Sequence, residues 1–166
     1  RKTASVLIGG LGMGYTLSAA LLLLHSDADV LVAELVPSVV EWNKNVFGSL
    51  AGDPLRDSRV TVVVEDVINI INDNTSAFDA ILLDVDNGPA SLTQKKNGEL
   101  YSMSGLSKIH RALRSGGVAA VWSSSPDKGF MRRLKRSFFH VLEKKVRGRT
   151  PKKGPVHTIW IATKSC

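Results

Sequence analysis

A short apolar run, Ser5-Val6-Leu7-Ile8, breaks directly into Gly9-Gly10-Leu11-Gly12-Met13-Gly14, and this junction constrains the fold more than any other feature of the chain. Gly10, Gly12 and Gly14 let the backbone turn tightly and approach a ligand closely, because no Cβ stands in the way. A leucine- and alanine-rich helix is predicted from Tyr15 to His25, with its free N–H groups aimed at whatever sits in the turn. Strand, glycine turn and helix in this order open an α/β nucleotide-binding unit.

The rest of the chain repeats the alternation. Strands are predicted at Val30–Ala33, Val60–Val64, Ala80–Leu83 and Val118–Trp122, each a continuous apolar run of the kind buried on both faces of a parallel sheet. Helices are predicted from Pro37 to about Val46, over Val67–Ile71, from Leu100 to Leu113 with a stop at Ser115-Gly116-Gly117, and from Pro126 to Phe139. Ser123-Ser124-Ser125 is read as the cap of that last helix. Val141–Val146 and Val156–Ala162 flank a basic turn and read as an antiparallel hairpin closing the sheet. No internal repeat or linker divides the pattern, and 166 residues suit one domain, residues 1–166, with its own core.

Polar residues gather where ligands bind in such sheets, beyond the carboxyl ends of the strands. Strand one ends in the glycines, strand two in Glu34, strand three in Glu65-Asp66 and strand four in Asp84 and Asp86. Glu34 lies 20 residues after Gly14, the separation at which a carboxylate accepts hydrogen bonds from both hydroxyls of a ribose. A dinucleotide dehydrogenase shares the carboxylate but spaces its glycines G-x-G-x-x-G, whereas this turn reads G-x-G-x-G. Asp66 then suits an adenine amino group, the contact expected in a methyltransferase-type site, and it also suits a helix N-cap before Val67. The expected architecture is therefore a Rossmann-like class I methyltransferase fold: a doubly wound, mostly parallel seven-stranded sheet with a C-terminal antiparallel hairpin.

Charge is divided sharply along the chain. Residues 1–127 hold 10 Lys/Arg against 14 Asp/Glu, a net of −4, while residues 128–166 hold 12 against 1, a net of +11. The formal charge of +7 is thus a property of the C-terminal segment alone. Cys166 is the lone cysteine, which excludes a disulfide framework and a Cys-based metal site. His25, His110, His140 and His157 are scattered without ligand spacing, so no metal is expected. No apolar run approaches the ~18 residues of a membrane span, and no signal peptide is read before Ser5. A cytoplasmic location is the resulting expectation.

Val6 to Gly14, Val32-Ala33-Glu34-Leu35, Phe78 to Pro89 and Gly116-Gly117-Val118 together resemble the spermidine synthase family, and most closely its short bacterial spermidine synthase-like members. The similarity runs from Val6 to about Trp122 and continues in Pro155 to Trp160. The resemblance implies transfer of an aminopropyl group from decarboxylated S-adenosylmethionine to a small amine, and it implies a homodimer. It implies that Asp84 both touches the cofactor and takes the proton of the attacking amine, with Asp86 and Tyr101 at the substrate. The family carries an acidic residue within the glycine turn, where this chain has Leu11 and Met13. It carries a second Asp three positions after the first, where this chain has Asn87, with Asp86 displaced by one.

Those departures keep two alternatives open: an S-adenosylmethionine-dependent methyltransferase acting on a small molecule or RNA, and a nucleoside-binding relative without catalysis. Lys128, Arg132, Arg133, Lys135 and Arg136 on one predicted helix, with Lys144, Lys145, Arg147, Arg149, Lys152 and Lys153 on the hairpin and its turn, form the patch a nucleic acid would need. Aromatic residues are not interleaved with these cations, and a charge run is more often a solvated face.

Overall fold

The computed structural model describes residues 3–85, 89, 95–138, 140–147 and 154–166. Strands β1 (Ser5–Gly9), β2 (Asp29–Glu34), β3 (Val60–Val64), β4 (Phe78–Leu83), β5 (Leu113–Ser123), β6 (His140–Arg147) and β7 (Val156–Thr163) form one sheet in the order β3-β2-β1-β4-β5-β7-β6. The first five strands run parallel, and β7 lies antiparallel between β5 and β6. This is the class I methyltransferase arrangement expected from the sequence, hairpin included. Strand order reverses between β1 and β4, which places the ligand crevice of such a sheet at the carboxyl end of β1.

The strands read as continuous apolar runs because both faces of the sheet are covered. Val6 and Ile8 of β1 face one core with Val30 and Val32 of β2, Leu17 and Leu21 of helix α1 (Tyr15–Leu23) and Val40 of helix α2 (Pro37–Trp42). Leu7 faces the opposite core with Leu83, Val121 and Trp160, which helices α3 (Val67–Asp73), α5 (Met103–Ala112) and α6 (Lys128–Ser137) cover with Ile71, Ile109, Phe130 and Leu134. Trp160 is fully buried there, and its indole Nε1 donates to Glu143 across the β6–β7 pair.

Several boundaries differ from the sequence expectation, each for a local reason. The helix predicted over Leu100–Leu113 is α5 alone, starting at Met103, and Leu100 ends a separate helix, α4 (Lys95–Leu100). Ser102 starts a new helix because its hydroxyl accepts from the Gly105 amide. Ser115-Gly116-Gly117 does not stop a helix: α5 ends at Ala112, and β5 runs through both glycines, with a register shift against β4 between Phe78 and Ala80. Helix α6 begins at Lys128, two residues after the expected Pro126, because Asp127 accepts from the Phe130 amide as its N-cap. The Ser123 hydroxyl is spent in its own turn, donating to the Ser125 carbonyl. The helix expected from Pro37 to Val46 changes to a π-helical turn over Asn43–Phe47.

Candidate active site

The glycine turn is shaped by contacts that leave no alternative at Gly10. Its amide donates to the Ala33 carbonyl at 2.8 Å and its φ is +90°. A Cβ there would stand 2.4 Å from the Asp84 carbonyl oxygen, so only glycine lets β1 and β4 pass this closely. Gly12, with φ +51°, is the opposite case, because a Cβ there would meet nothing within 4 Å. Gly14 takes the left-handed conformation, φ +80°, as the N-cap residue of α1. Asn43, turned inward at the start of the π-helical turn and 2% exposed, donates its amide to the Gly12 carbonyl at 2.7 Å and to the Val39 carbonyl at 2.9 Å.

Three carboxylates stand at the ends of the strands around this turn, each held by a donor of the fold. Glu34, 8% exposed at the end of β2, accepts from the Leu11 amide through Oε2 and from the Val36 amide through Oε1, both at 2.9 Å. The acidic side chain thus ties the glycine turn to the start of α2. A carboxylate has about four acceptor positions, so two remain on Glu34 after these bonds. Asp66 caps α3, its Oδ1 accepting from the Ile68 amide at 3.1 Å. Asp84 is exposed beyond β4, and its Oδ2 accepts from the Thr16 hydroxyl at 2.9 Å.

Glu34, Asp66 and Asp84 line one cleft of about 290 Å³ together with Gly10, Gly12, Val36, Glu65, Ile68 and Leu100. That volume lies near the lower end of the ~300–1,000 Å³ typical of small-molecule sites. The cleft mixes apolar walls with fixed acceptors, the composition of a small-molecule site.

Five of the residues singled out in the sequence therefore meet at one place: Gly10, Gly12, Glu34, Asp66 and Asp84. Gly14 sits behind them at the helix start. Asp86 lies outside the described residues. Tyr101 is not at the cleft: it is 2% exposed, with its ring edge-on to Phe130 at 5.4 Å. Its backbone carbonyl accepts from Arg133. Packing describes its position, and it is Leu100, one residue earlier, that reaches the cleft wall. Sequence reasoning passed over Val36 and Ile68, which carry no chemical signal, and placed Glu65 at the strand end without assigning it a role. Asn43 was hidden because a regular helix from Pro37 does not foretell the π-helical turn that buries it.

Hydrogen bonds from Arg59 hold the Asp57 carboxyl down at about 2, and the same pair raises Arg59. Arg59 in turn donates to the Leu21, Leu24 and His25 carbonyls and fastens the C-terminal end of α1. Burial lowers His110, helped by the charge of Lys164. Among the described residues no group of three His, Cys, Asp or Glu side chains is placed to hold a metal, and no helix is long and apolar enough to cross a membrane.

The fold has solved counterparts. A spermidine synthase in complex with the transition state analogue AdoDATO superposes with a TM-score of 0.81 at 22% identity, over 98% of this chain and 55% of its own. The spermidine synthase from Thermotoga maritima gives 0.79 at 21% identity, over 98% and 54%. Human methyltransferase-like protein 13 in complex with SAH gives 0.76 at 21% identity, over 98% and 72%. At these identities the likeness speaks for the fold, and the chain spans about half the length of the two spermidine synthases. No curated protein sequence matches it. The model of the spermine/spermidine synthase domain matches residues 2–148, nearly the whole chain, and the protein therefore belongs to the spermine/spermidine synthase family, a family of transferases.

Proposed function

We propose that residues 1–166 act as one unit that binds the nucleoside of an S-adenosylmethionine-type donor, decarboxylated S-adenosylmethionine, and transfers its aminopropyl group to a small amine. One observation carries the reading: Glu34, Asp66 and Asp84, from the ends of three strands, face one cleft beside two glycines of the turn. The room left beside Gly12 suits a ligand lying against the backbone. The two free acceptor positions of Glu34 suit the two ribose hydroxyls. The Asp66 oxygen not engaged with the Ile68 amide is available to an adenine amino group. The ligands of the structural neighbours, AdoDATO and SAH, are both related to S-adenosylmethionine, which supports this donor class.

When bound, the donor supplies a carbon activated by its sulfonium sulfur, which leaves as a neutral thioether. An ammonium has no lone pair, so the acceptor must lose a proton before it attacks. Asp84 is suited to receive that proton, being exposed at the cleft and oriented by Thr16 through one oxygen. It would hold the incoming ammonium and take its proton, freeing the lone pair that then forms the new C–N bond as the C–S bond breaks.

The test is release of methylthioadenosine from decarboxylated S-adenosylmethionine in the presence of a short aliphatic diamine. Replacing Asp84 by Asn should lower kcat by about 10²–10⁴-fold, the usual worth of a general base, while nucleoside binding stays. A second reading, methyl transfer, is favoured by the structural neighbour in complex with SAH. Methyl transfer from intact S-adenosylmethionine, with no methylthioadenosine formed from the decarboxylated donor, would decide for that reading.

A further inference from the structure

The basic character of residues 128–166 resolves, in three dimensions, into one surface. Helix α6 exposes Lys128, Arg132, Lys135 and Arg136. At 100° per residue these positions fall within an arc of about 100°, a single stripe along the helix. Arg133 leaves the stripe: its guanidinium bonds the Tyr101 carbonyl and lies over the Phe130 ring. The strand β6 continues the surface. Glu143 is the direct partner of Trp160, which packs on Phe130 of α6, so the residues of β6 that alternate with Glu143 share the α6 side of the sheet. Those residues include Lys145 and Arg147, both exposed.

Six cations thus share one face, and among the described residues none of them lies within 4.0 Å of a carboxylate. The two acids of this region are spent inside the fold, Asp127 on the Phe130 amide and Glu143 on the Trp160 indole. Helix α6 also has nothing to offer a bilayer. Phe130, Leu134 and Phe138 are 0%, 1% and 6% exposed, so its apolar side is committed to the core. A helix that lies in a membrane surface needs that side free. From Lys128 to Arg136 the stripe rises about 12 Å, a length over which a nucleic acid duplex presents roughly seven phosphate charges. Strand β6 runs parallel to β5, since both are antiparallel to β7, so Arg147 and the start of α6 lie toward the rim of the sheet where Glu34, Asp66 and Asp84 stand.

We propose that α6 and β6 form a phosphate-binding surface through which the protein holds a nucleic acid without reading its sequence. The proposal is independent of the reaction assigned to the cleft. It is tested on the full chain by fluorescence anisotropy with a labelled single-stranded RNA and a duplex DNA of equal length, from about 50 to 200 mM salt. Neutralisation of six phosphates predicts a slope of log K against log salt near −4 for the single strand, at about −0.7 per contact. Arg132→Gln/Lys135→Gln/Arg136→Gln should reduce that slope by about 2 and weaken binding at least about tenfold at low salt. Lys145→Gln/Arg147→Gln, made on a different element, should reduce it by a smaller step. The stronger of the two polymers names the partner. Three results would overturn the proposal: no binding of either polymer, binding that ignores salt, or triple-variant binding equal to wild type. Capture by anionic phospholipid vesicles with the polymers ignored would also overturn it.

Discussion

Glu34, Asp66 and Asp84 each accept a hydrogen bond from the fold, whereas Lys128, Arg132, Lys135 and Arg136 stand out from α6 with no carboxylate beside them among the described residues. The difference separates two ways of using charge. A carboxylate fixed by backbone amides has its remaining acceptor positions aimed in set directions, which suits one small ligand in one pose. A long cation held only by its own chain carries no such direction and suits a partner that presents many equivalent anions. The cleft therefore couples binding to stability, and the basic face does not.

That coupling is exposed first by Gly10→Ala. The added Cβ meets the Asp84 carbonyl at 2.4 Å in a left-handed backbone, so β1 and β4 must move apart. A loss of about 3–4 kcal/mol in chemical denaturation is expected, combining backbone strain with overpacking, and nucleoside affinity should fall with it. Glu34→Ala comes next. It strips the Leu11 and Val36 amides of their partner, and at about 1–3 kcal/mol for each group left unsatisfied the expected cost is about 2–6 kcal/mol. A variant that lost the ligand but kept wild-type stability would show that Glu34 does not tie down the turn.

Glu34 also marks how far the sequence could be read. Its place at a strand end, 20 residues after Gly14, pointed to the cleft, and Gly10, Gly12, Asp66 and Asp84 were legible for the same reason. The bonds it makes to Leu11 and Val36 were not legible, because side-chain to backbone contacts leave no periodic trace. The parallel strands were legible as continuous apolar runs and the hairpin from its two flanking runs, whereas the strand order is read from the structure. Helix starts were misjudged where Ser102 and Asp127 chose them, though not where Asp66 did. The family resemblance implied a substrate contact for Tyr101, and the α4–α5 junction turns its side chain into the core.

Arg59 sharpens the comparison from the other side, as a cation of the acidic half that is fastened. Its pairing holds Asp57 at about 2 against an ordinary 3.8. The folded state keeps Asp57 charged more readily than the unfolded chain does. The pair's contribution is therefore fully present above pH 3.8 and is lost as pH falls through about 2. Arg59→Leu should lower the melting temperature at neutral pH and flatten this part of the acid-unfolding curve. An unchanged acid limb would show that the pair is not maintained in solution. The smallest effect belongs to the basic face. Arg132→Gln/Lys135→Gln/Arg136→Gln should leave stability within about 0.5 kcal/mol of wild type per site, as for exposed residues without structural contacts. A larger loss in thermal melting would mean that the stripe is part of the scaffold.

Gly12 offers the most direct test, because it belongs to the cleft and yet a Cβ there touches no atom of the protein within 4 Å. Calorimetric titration of wild type and Gly12→Ala with methylthioadenosine, decarboxylated S-adenosylmethionine and S-adenosylhomocysteine, beside a thermal melt of each protein, separates ligand from fold. Wild type is expected to bind methylthioadenosine or the decarboxylated donor best. Gly12→Ala should weaken that binding at least about tenfold while losing only the ~1–2 kcal/mol of a left-handed alanine. Equal affinity of the two proteins for every nucleoside, or no binding by wild type at all, would contradict the placing of a nucleoside in this cleft.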